Sequence, residues 1–137
     1  MAFNLLNNII NESLIATNQI SNACIVSTTE LKMKAKTPNI YIKPDEIIKI
    51  KNAFDDPKTV REEGSVIELM DIQYSAVRAD SRSLYAKSES KGGLLAVKTK
   101  LYYIIAIYDK QQQPGIAVEA IERLGKYIYI NNIFIHI

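Results

Sequence analysis

The stretch KGGLLAVKTKLYYIIAIYDKQQQPGIAVEAIERLGKY, Lys91 to Tyr127, decides the fold. A Gly-Gly pair opens it, and two apolar runs follow, Leu94–Val97 and Leu101–Tyr108, with Lys98-Thr99-Lys100 between them. Both runs are rich in aliphatic and aromatic residues and the break is short and polar, so this part predicts a β-hairpin. After Pro114-Gly115 the pattern changes: Ala117, Ala120, Ile121, Leu124 and Ile128 recur at three- and four-residue intervals that set one face of a helix. Sheet and helix are consecutive, so the helix must lie back on the sheet to bury that face.

Outward from this centre, residues 3 to 15 predict a weakly amphipathic helix, with Phe3, Leu6, Ile10 and Leu14 on one side and Leu5 and Ile9 adjoining. Asn7, Asn8 and Asn11 should face away, and with such poor propensity the helix must dock on the sheet. Strands are expected at Cys24–Ser27 and Leu31–Lys36. In the second, Leu31, Met33 and Ala35 alternate with Lys32, Lys34 and Lys36, which predicts three ammonium groups on one face. Two readings of that face stand side by side, a solvated edge that discourages pairing and a site for an anionic ligand.

Pro44 suits the first position of a helix, with Asp45 and Glu46 complementing its dipole and Ile47, Ile50 and Phe54 sharing a face. Pro57 should end it, and a short helix through Thr59–Glu63 is expected before Gly64. Strands at Val66–Leu69, Ile72–Arg78 and Ser83–Lys87 complete a five-strand meander with the hairpin. The fold class is therefore α+β, an antiparallel sheet of about six to seven strands with helices on both faces, in one domain over residues 1–137.

Composition excludes several functions. A chain of 137 residues can bury a core without metal or disulfide support. The one cysteine, Cys24, cannot form an internal disulfide, sits in an apolar run, and reads as a buried small hydrophobe in a reducing compartment. The start MAFNLLNNIINES lacks a basic region, which argues against a signal peptide, and no apolar run approaches a membrane span. A cytoplasmic location is expected. The net charge of +2, from 17 basic and 15 acidic residues, does not point to nucleic acid. His136 is penultimate, Gly92-Gly93 lacks a phosphate-loop context and reads as a turn, and no Cys/His spacing fits zinc. Asp55-Asp56 and Glu62-Glu63 fit solvated positions better than acid/base work. No cofactor or metal is expected, and the chain reads as a binding protein rather than an enzyme.

The run from Tyr108 through Pro114-Gly115 to Glu122-Arg123-Leu124-Gly125 and Tyr127, YxxxxxPGxxxxxxERLGxY, resembles the C-terminal signature of the profilins, small regulators of the actin cytoskeleton. A second block, YSAVRADSRSLYAKSESKGG over Tyr74–Gly93, is similar to the divergent fourth profilin type of animals, which carries VRAD, SLYAK, VKT and VEA where this chain has Val77–Asp80, Ser83–Lys87, Val97–Thr99 and Val118–Ala120. With Ile42–Ile47 the resemblance covers nearly the whole chain, apart from the first twenty and last ten residues, which match poorly. It implies the profilin architecture, with the two terminal helices together on one face.

Profilins generally present three binding surfaces, and the resemblance implies a fate for each. The poly-proline groove stacks an extended proline helix on flat rings. Its aromatic positions become Phe3, Leu6 and Met33 here, with Tyr127 remaining, so proline ligands are expected to bind weakly or not at all. The actin face falls on Phe54, Arg78, Lys87, Val118 and Glu122. There the usual basic turn is Ala86-Lys87-Ser88-Glu89, an Asn is replaced by Val118, and the family's Leu-Gly-Gly turn becomes a longer, acidic Glu68-Leu69-Met70-Asp71, so actin-monomer binding should be weak. The third surface, for phosphoinositides and other acidic phospholipids, asks for clustered cations. Arg78, Arg82, Lys87, Lys91, Lys98 and Lys100 are the candidates, with Lys98 and Lys100 on one strand face.

The expected protein is thus a cytoskeleton-associated regulator with peripheral membrane contact. An ordinary actin-binding profilin is the alternative, and a protein-interaction scaffold a further one. The ending KYIYINNIFIHI is much more apolar than the charged endings of the chains it resembles. It could continue helix packing, or turn at Asn131-Asn132 into a short strand. Burial of these side chains is the reading adopted, which makes the protein a monomer; exposed, Ile133–Ile137 would support self-association.

Overall fold

The computed structural model describes residues 2–131, and side chains of residues 5–130. Helix α1 (Ala2–Ser13) forms on the four-residue spacing of Leu6, Ile10 and Leu14, all fully buried. Leu5 is half exposed, so the apolar side is narrower than its sequence suggests. Asn7 does not simply face solvent: its Oδ1 accepts a hydrogen bond from the Lys36 amide at 3.2 Å. Strands β1 (Asn22–Ser27) and β2 (Met33–Lys36) follow, then α2 (Pro44–Asp55). Pro44 holds the first helical position, and the Lys43 amide donates to Glu46 Oε1 at 2.9 Å, satisfying an N-terminal donor. Helix α3 is Pro57–Val60, earlier than the Thr59–Glu63 expected, because Pro57 is as suited to start a helix as to end one.

Strands β3 (Ile67–Leu69), β4 (Ile72–Ala79), β5 (Ser83–Lys87), β6 (Gly93–Lys98) and β7 (Tyr102–Tyr108) make the meander, and α4 (Pro114–Asn131) closes the described chain. The sheet runs β2-β1-β7-β6-β5-β4-β3, with every pair antiparallel. The β3–β4 connection is not a long loop: Leu69 pairs with Ile72, and Met70 and Asp71, at φ 51° and 65°, form a two-residue turn of the twist that hairpins favour. Gly92 and Gly93 have a steric role at the start of β6. A Cβ on Gly92 would stand 1.9 Å from the Tyr108 carbonyl oxygen, and one on Gly93 would stand 2.3 Å from the Tyr108 ring.

Alternation sends the strands' side chains to two cores. On one face Ile25, Ala35, Leu95, Val97, Ile104 and Ala106 pack under α1 and α4. On the other, Val26, Leu84, Leu94, Ala96, Tyr103 and Ile105 pack against Ile47, Ile50 and Phe54 of α2. Strands β6 and β7 are covered on both sides, which is why their sequences are continuous apolar runs. The terminal helices share one face, as the profilin resemblance implied. Cys24 lies in the α2-side core, where burial pushes its thiol up to about 12 against a weaker opposing pull from Lys36.

Strand β2 departs from its sequence pattern. Ala35 pairs with Ile25 and Met33 with Val26, so one β1 step spans two residues of β2 and leaves Lys34 at a bulge. Ala35 faces the terminal helices and Met33 the α2 core. The three ammonium groups do not share a free face either. Lys34 pairs with Glu30 at 3.3 Å, Lys32 precedes the strand, and the Lys36 ammonium donates to the carbonyls of Thr37, Pro38 and Ile40.

Candidate functional site

Helix α4 buries Ala117, Ile121, Leu124 and Ile128 against the sheet. Gly125 allows its close approach to β6, since a Cβ there would lie 2.9 Å from Val97 Cγ2. The flank of α4 from Glu119 to Ile130 and the β4–β5 turn form the two walls of an open groove. Five basic residues line it, Arg78, Arg82, Lys98, Arg123 and Lys126, against three acidic ones, Asp80, Glu119 and Glu122, which leaves it basic.

The turn wall is built on Asp80. Its Oδ1 accepts the amides of Arg82 and Ser83, both at 2.8 Å, and its Oδ2 accepts Arg78 Nε at 3.2 Å. Desolvation works to raise the Asp80 carboxyl, but the two amides and the guanidinium together hold it below the usual range. The Arg78 guanidinium lies 5.3 Å from the centre of the Tyr85 ring. Glu122 joins the walls, because its Oε2 accepts the Ser83 hydroxyl at 2.7 Å and the Tyr85 hydroxyl as well. Desolvation first, then the bond to Glu122, pushes the Tyr85 phenol up to about 12. Arg123 pairs with Glu119 on the rim, and Arg82 stacks at 5.3 Å over the Tyr129 ring.

The six lipid-site candidates do not form one cluster. Arg78, Arg82 and Lys98 line the groove. Lys87 and Lys91 sit at the opposite end of β5, because Ser83 pairs with Val97 while Lys87 pairs with Gly93. Four residues of strand separate these positions by roughly 13 Å. Lys98 ends β6 with its ammonium 5.9 Å from the Tyr103 ring, whereas Lys100 lies in the following turn, so they do not share a strand face. Arg123 and Lys126 belong to the groove and were missed by sequence reasoning, although their i,i+3 spacing opposite the apolar stripe of α4 was available.

One of the actin-face candidates is buried and a second is partly buried. Phe54 is 3% exposed with its ring 5.4 Å from that of Tyr103, so it serves the core. Val118 is half-buried against the core under the terminal helices. Glu122 is engaged by β5, while Arg78 and Lys87 are exposed. The poly-proline candidates are also dispersed. Leu6 is fully buried, Met33 is turned to the opposite face, Tyr127 is half exposed, and the side chain of Phe3 lies outside the described residues. Ile133–Ile137 likewise lie outside them. Among the described residues no His, Cys, Asp and Glu group is arranged to hold a metal, and no helix is long and apolar enough to cross a membrane.

Comparison with known proteins gives a consistent answer. The profilin family model matches residues 4–133, a span that includes most of the N-terminal stretch where the sequence resemblance was poor. The chain is 34% identical to profilin-4 of Bos taurus over 124 residues, covering 90% of this chain and 94% of the relative. It is 30% identical to profilin-2 of Acanthamoeba castellanii over 119 residues, covering 87% and 91%. Among solved structures, Acanthamoeba castellanii profilin II superposes with a TM-score of 0.82 at 28% identity, covering 93% of this chain and 98% of that one. Schizosaccharomyces pombe profilin superposes with a TM-score of 0.83 at 29% identity over the same shares. With its two-faced antiparallel sheet and paired terminal helices, this chain belongs to the profilin family of non-enzymatic cytoskeletal regulators.

Proposed function

We propose that this chain is a one-domain cytoskeletal regulator that binds acidic phospholipids, phosphoinositides included, at the membrane periphery, with weakened actin-monomer and poly-proline binding. The observation that carries this reading is the charge of the α4 groove. Of its five cations, Arg78 is paired with Asp80 and Arg123 with Glu119, and among the described residues Arg82, Lys98 and Lys126 have no ion-pair partner, the Lys98 ammonium lying by the Tyr103 ring of the α2-side core. A cation near an anionic bilayer contributes about 1 kcal/mol, so Arg82 and Lys126 together contribute about 2 kcal/mol, roughly thirtyfold in affinity. Weak poly-proline binding is supported by the burial of Leu6 and by Met33 facing the α2-side core, across the sheet from it. Weak actin binding is supported by the half-burial of Val118, the engagement of Glu122 and the burial of Phe54.

Co-sedimentation with phosphatidylcholine vesicles, with and without phosphoinositide, tests the reading. Binding should need the acidic lipid, weaken with salt, and fall by about thirtyfold in Arg82→Ala/Lys126→Ala. Indifference to acidic lipid would end it. The second reading, an ordinary actin-binding profilin, is favoured by the exposure of Arg78 and Lys87. Titration of labelled monomeric actin separates the two: saturable micromolar binding that survives physiological salt selects the second.

A further inference from the structure

We propose that the last turns of α4 act as a wedge into the bilayer interface, Tyr129 and Ile130 entering the headgroup layer while Arg82 and Lys126 hold lipid phosphates; this deepens the acidic-lipid reading and rests on it. Tyr129 is 53% exposed and Ile130 62% exposed, on a helix that already buries its apolar stripe elsewhere. At 100° per residue, Lys126, Tyr129 and Ile130 share a flank, the one lining the basic groove. The Arg82 guanidinium over Tyr129 brings a cation to the ring itself. An aliphatic tip, a phenol with an apolar body and polar end, and two flanking cations are the chemistry of an interfacial anchor.

The alternative occupant, a second copy, fits less well. A two-fold contact through this flank would set Arg82 and Lys126 close to their own symmetry mates, where like charges repel. An acidic bilayer complements the same cations and takes up the apolar tip. Burial of Ile130 in the interface also changes the salt response. Screening removes the electrostatic part, whereas the apolar part remains, so some binding persists at high salt.

The sequence contains no tryptophan, so Ile130→Trp introduces a single reporter. With phosphatidylcholine vesicles containing phosphatidylinositol bisphosphate, its emission should shift to the blue and be quenched by lipids brominated in their acyl chains. Tyr41→Trp, at an exposed position outside the groove, should do neither. Ile130→Ser should weaken binding to the same vesicles by about tenfold and abolish the salt-resistant part, while leaving binding of soluble inositol trisphosphate unchanged. Co-sedimentation without a blue shift at position 130 would overturn the wedge and leave the lipid reading standing. Absence of sedimentation with every vesicle would remove both. A blue shift without vesicles that grows with protein concentration would assign the flank to a second copy and overturn the wedge.

Discussion

Glu122→Ala removes the carboxylate oxygen to which both Ser83 and Tyr85 donate, and with it the polar tie between α4 and β5. Ser83 is 4% exposed, so its hydroxyl loses a partner where water has little access, at about 1–3 kcal/mol. Tyr85 is only half-buried, so water replaces the lost acceptor at a smaller cost, about 0.5–1 kcal/mol. Alanine's slightly better helix propensity returns a few tenths of a kcal/mol. The net expectation is a loss of about 2 kcal/mol, equivalent to a melting temperature lower by about 8 °C in a chain of this size. Urea denaturation followed by far-ultraviolet circular dichroism measures it, with an unchanged m-value as the sign that the native core is intact. Glu122→Gln, which keeps an oxygen acceptor, should lose about half as much. A double-mutant cycle with Tyr85→Phe should give a coupling of about 1 kcal/mol. Strict additivity of the two, or a loss below about 0.5 kcal/mol for Glu122→Ala, would refute the reasoning, because among the described residues no buried side-chain polar atom now lacks a partner.

Gly125→Ala should destabilise by about 1–3 kcal/mol, since its Cβ would stand 2.9 Å from Val97 Cγ2, and Val97→Ala in the same background should recover part of that in a thermal melt. A gain in stability, as helix propensity alone would give, would contradict the close contact. Cys24 should react with a thiol reagent at neutral pH only as fast as the protein unfolds, because burial raises its thiol to about 12; rapid reaction of the folded protein would place it at the surface. Tyr85 is raised from 10.0 to about 12, so the stability it contributes is complete below pH 10 and is lost as pH rises through about 12. Ultraviolet-difference titration should show one phenol fewer ionising near pH 12 in Tyr85→Phe, and its alkaline loss of stability should be smaller than the parent's.

The centre of the fold was readable because its physics is local or repetitive. Strands β6 and β7 are buried on both faces, so their apolar runs are unbroken, and the period of Ala117, Ile121, Leu124 and Ile128 marks α4 without reference to anything else. The same periodicity put Phe54 beside Ile47 and Ile50, and it proved a better guide than the surface role implied by resemblance. What could not be read depends on register between strands. The bulge opposite the Ile25/Val26 step sends Met33 and Ala35 to opposite faces although their spacing predicts the same one. The lipid-site cations looked clustered along the chain, yet the pairing of β5 with β6 puts Lys87 and Arg82 at different ends of the strand. Arg123 and Lys126 became groove residues only through the packing of α4 beside the β4–β5 turn.

The place of β1 in the sheet has a kinetic consequence. It lies between β2 and β7, and its register with β7 runs from Asn22↔Ile107 to Ser27↔Tyr102, whereas β3 to β6 pair only with strands next to them in the chain. During synthesis the meander can close as each strand emerges, because its loops are short. Residues 2–36 have no edge to join until β7 has left the ribosome. For most of translation Leu6, Ile10 and Ile25, fully buried in the finished protein, therefore stay open to water and to other chains. How much protein a cell recovers depends on what shields that waiting segment as well as on the stability of the completed fold.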